Sequence, residues 1–517
     1  MHDYTRYFPV RGDDDQLDVQ GILHAGLNAT PDRMVLAFDD EQWSVGRLRR
    51  HVALSQAWLA GQGMVAGDRV AVMLKNHPAH VALIYALILS GMVWVPVNTR
   101  LKSAGLQYLI DHAKPKLVVV EPEFDEQVSQ AGAAHPFTLV HADADTESTG
   151  EGAAIMRAEC QPSDLLCLIY TSGTTGAPKG VRFTHRMLRI ASEAALLAAD
   201  AKDGDRLFLW EPLCHIGGAQ MLMAPFLAKV SLHVVPAFSL SRFWQQVETS
   251  GATHLHYLGG VLELLMRQPE SIPATHSIRV AWGAGLNKLT WKQAQDTLGM
   301  ELRECYGMTE CSSFGTFNQT GKPGSMGRVL PWMTLDLLDE HGQPVGVGEH
   351  GEIVLGTDVE GAFLAGYLDN PEATASTLRD GRLYTGDIAW RDADGDLFFV
   401  GRRTDSMRVR GENVSAWEIE RVFAQHPEVS SVAAVGVKSD IGEQEVLLYV
   451  QCTDCSPENL ARLAPALSTW ASGRLASYQL PRYYRLVERF DLTPSERIRK
   501  HLLPRELNGA WDRSERA

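Results

Sequence analysis

No apolar run in these 517 residues is long and unbroken enough to span a bilayer. The most apolar stretch, Val81 to Val97, is interrupted by Ser90-Gly91 and Pro96, and suits a buried helix followed by a strand. The opening, Met1 to Gln16, is polar and carries Asp13-Asp14-Asp15, so a secretory signal is not expected there. Positive charge is also short. The 48 Lys and Arg against 63 Asp and Glu give a formal charge of -15, which argues against nucleic acid or an anionic membrane as the main partner. Seven cysteines are few for such a length, and point to reduced thiols and a cytoplasmic setting rather than a disulfide scaffold. Cys452 and Cys455 make a lone C-x-x-C with no second pair, so chance spacing is preferred over a zinc or redox site. Internal repeats, coiled coil and low-complexity tracts are missing as well. What remains is an ordinary globular composition, 45% hydrophobic and 21% charged, on a chain too long for one core.

Helical and strand patterns alternate through the first part. Helices are expected over Val45 to Leu59, from Pro78 to Gly91, and over Leu101 to Ala113. Strands are expected at Arg69–Leu74, Val93–Val97 and Leu117–Val120. Strands separated by helices imply a parallel sheet in an α/β layer. Residues 121–161 read as a polar surface excursion. Beyond it, Met187 to Ala199 and Phe238 to Thr249 are helical, the latter with Ser239 or Ser241 as cap, and Leu207–Trp210 and Leu232–Val235 are strands. Near Gly351 the texture changes to short segments, Glu352–Leu355, Ala362–Tyr367, Leu383–Trp390 and Asp396–Val400, with Asp394-Gly395 as a hairpin turn. After it come a helix from Ala416 to Gln425, strands at Ser431–Val437 and Val446–Gln451, and a basic end. The expected organisation is a large α/β domain to residue 400, a hinge at 401–404 and a small α+β domain over 405–517.

Chemistry concentrates in Tyr170-Thr171-Ser172-Gly173-Thr174-Thr175-Gly176-Ala177-Pro178-Lys179-Gly180, behind the apolar run Leu165 to Tyr170. Glycines let backbone N–H groups approach an anion, hydroxyls donate to phosphate oxygens, and the lysine supplies charge. A polyphosphate suits this loop, although an ordinary Ser/Thr/Gly loop between strands would look similar. The spacing is not the Walker pattern, since Lys179 is not followed by Ser or Thr. Tyr306-Gly307-Met308-Thr309-Glu310 pairs a hydroxyl with a carboxylate after a glycine turn, suited to a phosphate and its Mg²⁺ or simply to a helix start. Tyr384-Thr385-Gly386-Asp387 offers a carboxylate that can accept from a vicinal diol, or merely a strand end. His215, in Pro212-Leu213-Cys214-His215-Ile216-Gly217-Gly218, is a gate or a packed side chain; His185 is a weaker candidate.

In this order the segments resemble the adenylate-forming superfamily of acyl-CoA synthetases, luciferases and peptide-synthetase adenylation domains. Gly67-Asp68-Arg69-Val70-Ala71, Pro96-Val97-Asn98 and Gly366-Tyr367 with Pro371-Glu372-Ala373-Thr374 fill further family positions. Arg410-Gly411-Glu412-Asn413-Val414-Ser415 is similar to the carnitine/crotonobetaine-CoA ligase branch. The resemblance implies a large N-terminal adenylate-forming domain of layered sheets and helices with a small mobile C-terminal domain. It implies ATP and Mg²⁺ as cofactors, CoA as co-substrate and a small-molecule carboxylate as substrate; a homo-oligomer stays open. ATP would be held by Thr171, Ser172, Gly173, Thr174, Thr175, Gly176 and Lys179, by Gly283-Ala284-Gly285 beside adenine, and by Tyr306 and Gly307. Thr309 would meet the α-phosphate, Glu310 the Mg²⁺, and Asp387 with Arg402 the ribose. His215, Tyr257, Gly259 and Trp282 would belong to the acyl and pantetheine pocket, where Trp282 could stack on a quaternary ammonium group or be a core residue. Leu258, Gly260 and Phe314 are further candidates by adjacency.

Two positions depart from the family pattern. Its C-terminal motif, approximately P-x-T-P-x-G-K-I-x-K, is matched by Leu492-Thr493-Pro494-Ser495-Glu496-Arg497-Ile498-Arg499-Lys500, so Arg497 stands where the catalytic lysine is expected. Arginine keeps the charge but presents a planar fork instead of a compact ammonium. Arg497 does the work, or Lys500 does, or adenylation is impaired. The hinge position is Thr404, with Asp405 behind it, where the family has Asp or Lys. An acid:CoA ligase is therefore the expected function. The alternatives are a degenerate nucleotide- or acyl-binding homologue and an adenylating enzyme that makes no thioester.

Overall fold

The computed structural model describes residues 4–8, 19–101, 103–141, 154–171, 178–286, 288–402, 406–409, 412–438, 444–472, 474–475, 479–492 and 498–516. By compactness the chain divides into a first unit, Met1–Thr171 with Pro178–Leu335 and Leu355–Leu383, and a second that takes Asp336–Val354 and Tyr384–Ala517.

The first unit has the expected α/β layers. One sheet orders its strands Thr138–His141, Leu117–Val120, Arg69–Met73, Val93–Pro96, Leu165–Thr171 and Lys179–Thr184. It is parallel up to the last pair, which is antiparallel. A second sheet runs Arg328–Val329, Thr316–Phe317, Glu301–Tyr306, Val280–Ala284, His254–Leu258, Arg206–Leu209, Ser231–Val234, Met34–Phe38 and Glu41–Ser44. From Glu301–Tyr306 to Met34–Phe38 every neighbour is parallel. In such sheets ligands gather outside the carboxyl ends of the strands. That rule orients the search for a site.

Local chemistry explains the helices between strands. Pro78–Leu89 starts on a proline, its His77 Nδ1 accepts from the Ala79 N–H at 3.1 Å, and it is apolar all round, so it must be buried on every side. His185–Ala199 is capped by Thr184, whose Oγ1 accepts from the Met187 N–H at 3.2 Å. No helix among the described residues is long and apolar enough to cross a membrane.

The second unit is α+β. The hairpin Arg382–Arg391/Leu397–Arg402 turns at Asp394-Gly395, where Asp392 Oδ1 accepts from the N–H groups of Asp394 and Asp396. A four-stranded sheet follows, Ser431–Lys438, Gln444–Gln451, Tyr483–Val487 and Trp511–Asp512. Against it pack Ala416–Phe423 and Pro457–Ser472, through Ile419, Phe423, Leu448, Leu467 and Tyr484.

Several elements differ from expectation. The helix expected from Phe238 begins at Phe243, because Phe238 and Leu240 pack against the core and the Ser239 carbonyl accepts from the Arg242 N–H in a turn. Ser239 and Ser241 point their hydroxyls at each other, 3.4 Å apart, and cap nothing. Ala362–Tyr367 forms no strand of its own. Thr138–His141, inside the presumed surface excursion, adds a parallel strand to a sheet edge. Pro457–Ser472 is a further helix, outside the elements expected from the sequence, with Pro465 inside it. Its start is nonetheless signed by Ser456, whose Oγ accepts from the Asn459 N–H.

Three buried histidines make stability depend on pH. Burial holds His80, His233 and His254 down to about 4 from an ordinary 6.5, with Asp205 opposing the shift at His254. Their folded values lie below the unfolded value, so the stabilisation is complete above 6.5 and is lost as pH falls towards 4. Each contributes about 1.4 kcal/mol per pH unit within that window. Urea unfolding across that range should show a falling midpoint. His233→Phe, which keeps the stack on Phe208, should flatten the slope; an unchanged slope would count against His233 as a source.

Candidate functional site

Thr171 ends one strand and Lys179 begins the next, and the two are cross-strand partners. Ser172, Gly173, Thr174, Thr175 and Gly176 lie outside the described residues. The flanks of the loop are held from the helix Ser103–Ala113: Tyr108 donates to the Pro178 carbonyl at 3.0 Å, and Tyr170 Oη sits 2.7 Å from His112 Nδ1. Burial pushes the Tyr170 hydroxyl well above its usual range, which keeps it protonated.

The segment after Leu364 runs antiparallel beside Lys179–Thr184. Ala365 N–H donates to the Arg182 carbonyl, Arg182 N–H to that of Gly366, and Leu368 N–H to that of Gly180. This alignment delivers Tyr367. Its ring centroid lies 5.0 Å from Lys179 Nζ, and its hydroxyl donates to Glu310 Oε1 at 2.7 Å. One tyrosine thus touches both the loop lysine and the carboxylate expected to hold Mg²⁺.

Glu310 stands just beyond the carboxyl end of Glu301–Tyr306. Gly307 is required at the turn, since a Cβ there would overlap the Ser313 carbonyl oxygen. Thr309 and Glu310 are buried in a single 3-10 turn. Ser312 and Ser313 follow with φ of 56° and 83°, left-handed conformations that cost about 1–3 kcal/mol each for such residues. They are held because Ser312 donates to the Ala362 carbonyl at 2.7 Å and Ser313 to Gln220 Oε1. Gln220 Nε2 in turn donates to the Gly217 carbonyl at 3.1 Å, tying this turn to the His215 segment. A buried carboxylate held by a neutral hydroxyl keeps lone pairs for a hard cation, so Glu310 fits Mg²⁺.

The neighbouring strand ends carry the remaining candidates. At Gly283 a Cβ would overlap the Tyr257 carbonyl oxygen, and Gly285 has φ +94°, so Gly283-Ala284-Gly285 is a close-approach turn. Glu304 pins it by accepting from Tyr257 Oη at 2.6 Å and from the Leu286 N–H at 3.1 Å. Tyr257 is fully buried and its hydroxyl is spent on Glu304; Gly259 opens the helix Gly259–Met266. Trp282 is also fully buried, its ring 5.3 Å from that of His256. His215 precedes the short helix Ile216–Ala219, with Nε2 3.2 Å from Asn98 Nδ2; His185 is buried at its helix start. Thus Lys179, Glu310 and Tyr367 meet, and the Gly283 turn, Tyr306, Gly259 and the His215 segment follow the ends of adjacent parallel strands.

In the second unit, Asp387 and Arg402 face each other across the hairpin, with Arg402 Nε 3.1 Å from Asp387 Oδ1. Thr385 donates to the Ile353 carbonyl and accepts from the Asp387 N–H, and Gly386 N–H donates to Glu352 Oε1 at 3.0 Å. These bonds hold the backbone at Asp387, and its buried carboxylate faces Arg402. Thr404 and Arg497 lie outside the described residues. Lys500 is described, and its Nζ is 2.9 Å from Glu420 Oε1, an ion pair internal to this unit.

Sequence patterns alone did not mark Glu304, Gln220 or the dual role of Tyr367. Each acts through a tertiary contact, and only Tyr367 sat within a quoted motif.

The AMP-binding enzyme family matches residues 23–368, and its C-terminal domain matches residues 418–497. A 2-succinylbenzoate–CoA ligase of Bacillus cereus is 28% identical over 486 residues, covering 92% of this chain and 96% of that protein. A crotonobetaine/carnitine–CoA ligase of Escherichia coli is 30% identical over 413 residues, 75% and 79% of the two chains. Among solved structures, o-succinylbenzoate CoA synthetase of Bacillus subtilis, in complex with its acyl-adenylate intermediate, superposes with a TM-score of 0.82 at 23% identity, over 93% and 97% of the chains. With both parts of its length matched and its strand ends bearing the matching segments, this chain belongs to the AMP-binding enzyme family.

Proposed function

We infer that this enzyme is an ATP-dependent acid:CoA ligase. The convergence of Lys179 and Glu310 on Tyr367 is the observation that carries the reading, because a triphosphate and its metal call for a cation and a carboxylate held close together beside strand ends. A carboxylate oxygen of the acid attacks the α-phosphorus of ATP and pyrophosphate leaves. The thiolate of CoA then attacks the acyl carbon, AMP leaves with the carboxylate oxygen that bridged, and the thiol proton passes to solvent. Both relatives described above are named as CoA ligases, which supports the second step.

The residues take separate tasks. Lys179 and the hydroxyls of 171–175 neutralise the phosphates, and Thr309 donates to the α-phosphate as charge grows on it. Glu310 would hold Mg²⁺, which when bound spreads the charge of the triphosphate. Tyr306 and the Gly283-Ala284-Gly285 turn flank adenine; Asp387 accepts from the ribose hydroxyls with Arg402 beside it. His215 gates the acyl and pantetheine passage near Gly259 and Trp282, while Tyr257, packed into the core on the other face of the sheet, supports the passage through Glu304. Residues 401–404 act as the hinge between a domain over 1–400 and one over 405–517, Thr404 taking the hinge position, and Arg497 serves adenylation. ATP and CoA as substrates, with cysteines kept as thiols, suit the cytoplasm.

Hydroxylamine trapping over a panel of carboxylic acids with ATP and Mg²⁺ tests this. Hydroxamate should form with a subset of acids, and CoA in place of hydroxylamine should give the thioester. ATP binding without hydroxamate from any acid would favour a degenerate homologue. Hydroxamate without thioester would favour an adenylating enzyme with another acceptor.

A further inference from the structure

A buried acid–base pair lies on adjacent strands of the large sheet, apart from the residues given nucleotide roles above. Glu211 follows the strand Arg206–Leu209 and bonds through Oε2 to His256 Nδ1 of the neighbouring strand His254–Leu258. Both side chains are over nine-tenths buried. Each is fixed by its surroundings. Asn76 Nδ2 donates to the Glu211 carbonyl at 2.7 Å, and Trp210 Nε1 donates to the His256 carbonyl at 2.7 Å. Gly217, in the His215 segment, has no room for a side chain because a Cβ would overlap the Glu211 carboxylate. The pair therefore sits between the proposed gate and the strand that leads into Gly259.

Burying such a pair is costly unless something is gained by it. A carboxylate only accepts, so His256 Nδ1 carries a proton, and in that tautomer of the imidazole Nε2 is the acceptor. Nε2 has no hydrogen-bond partner. His256 and Trp282 are register partners on adjacent parallel strands, so their side chains share one face of the sheet, opposite Tyr257. Trp282 Nε1, a donor only, is also buried without a partner. Other buried tryptophans leave their N–H unpaired too, and Trp244 does so beside the unpaired Nδ1 of His276, 4.9 Å between rings; Trp282 and His256 differ in lying on the strands that lead into Gly283-Ala284-Gly285 and Gly259. Phe314 closes the cluster, 6.0 Å from His256. A buried polar group left without its hydrogen bond is costly. One group that donates and accepts at once would satisfy both.

We propose that Glu211, His256 and Trp282 form a polar subsite of the acyl pocket that selects carboxylic acids bearing a hydroxyl group. The proposal rests on the ligase function above and names the class of acid it uses. The hydroxyl donates to His256 Nε2 and accepts from Trp282 Nε1, while Glu211 holds the imidazole tautomer as a positioning residue. A plain hydrocarbon acid leaves both groups unpaired and is disfavoured.

Acid-dependent pyrophosphate exchange with matched acids tests it: benzoate against the hydroxybenzoates, and butyrate against the hydroxybutyrates. The wild type should favour a hydroxylated member over its plain twin by on the order of 10,000-fold in kcat/KM, since a site built to bond a hydroxyl rejects the analogue without one. His256→Phe and Trp282→Phe keep a ring but remove the nitrogen; each should shrink the ratio by tenfold or more without moving the KM for ATP. Glu211→Gln should shrink it less, with the histidine still present. Equal rates for the twins in the wild type, or variants that lower both twins alike, would overturn the subsite and leave the ligase function standing. If no acid supports exchange the ligase function falls, and calorimetric titration with the hydroxybenzoates and hydroxybutyrates then decides the subsite. Binding that is lost in His256→Phe supports it; binding that is absent, or equal in both proteins, overturns it.

Discussion

Glu310→Gln is expected to lower acid-dependent pyrophosphate exchange by on the order of 1,000-fold, the scale seen when one preorganised electrostatic group is removed. The substitution is nearly isosteric and keeps an oxygen to accept from Tyr367 Oη, so the buried turn of Thr309–Cys311 should survive. What disappears is the negative charge that would meet a divalent cation. Tyr367→Phe provides the contrast. It removes the hydroxyl that holds Glu310 but leaves a ring beside Lys179, 5.0 Å away in the parent protein. Losing such an outer partner typically costs about 10–100-fold in metal affinity. The half-saturating Mg²⁺ concentration should therefore rise within that range, with a smaller change in rate at saturating Mg²⁺. Full exchange activity in Glu310→Gln would remove Glu310 from the metal role.

Arg497→Ala should lower adenylation by roughly 100-fold or more, and leave thioester formation from a preformed acyl-AMP near the wild-type rate. The split matters, because a general loss of stability would slow both half-reactions. Arg497→Lys should retain most of the activity, the compact ammonium being able to meet carboxylate and phosphate as a point charge. Lys500 is the competing cation. Its pairing with Glu420 at 2.9 Å, and the Glu420 carboxylate's further bond from the Ala434 N–H, give it a structural task inside its own unit. Lys500→Ala should accordingly reduce stability while sparing pyrophosphate exchange. If Arg497→Ala exchanges pyrophosphate normally, arginine has not taken over the lysine's position.

The α/β layers were legible in the chain because apolar strands such as Leu117–Val120 and helix starts such as Pro78 carry local signals that burial reinforces. The site motifs were legible for a related reason: a glycine that must let another chain pass, as at Gly307 and Gly283, is fixed by backbone geometry and stays near its functional neighbour in sequence. Tertiary pairings left no such trace. Glu304 reads as a strand residue until Tyr257 Oη, 47 positions earlier, is found donating to it. Glu211 and His256 are 45 positions apart, and neither stands in a recognisable pattern. The start of the helix at Phe243 failed to show because Phe238 and Leu240 satisfy a helical periodicity while packing into the core as a turn. The helix Pro457–Ser472 contains Pro465, and its apolar face on Leu463, Leu467 and Ala471 outweighs the missing hydrogen bond.

The most direct test of the central claim follows an oxygen atom. With an acid whose carboxylate carries heavy oxygen, ATP, Mg²⁺ and CoA, attack of the carboxylate on the α-phosphorus places one labelled oxygen in AMP for each thioester formed. Mass spectrometry of the products should find that label in AMP and none in pyrophosphate. Unlabelled AMP alongside thioester, or label in inorganic phosphate with ADP as the nucleotide product, would contradict activation through an acyl-adenylate.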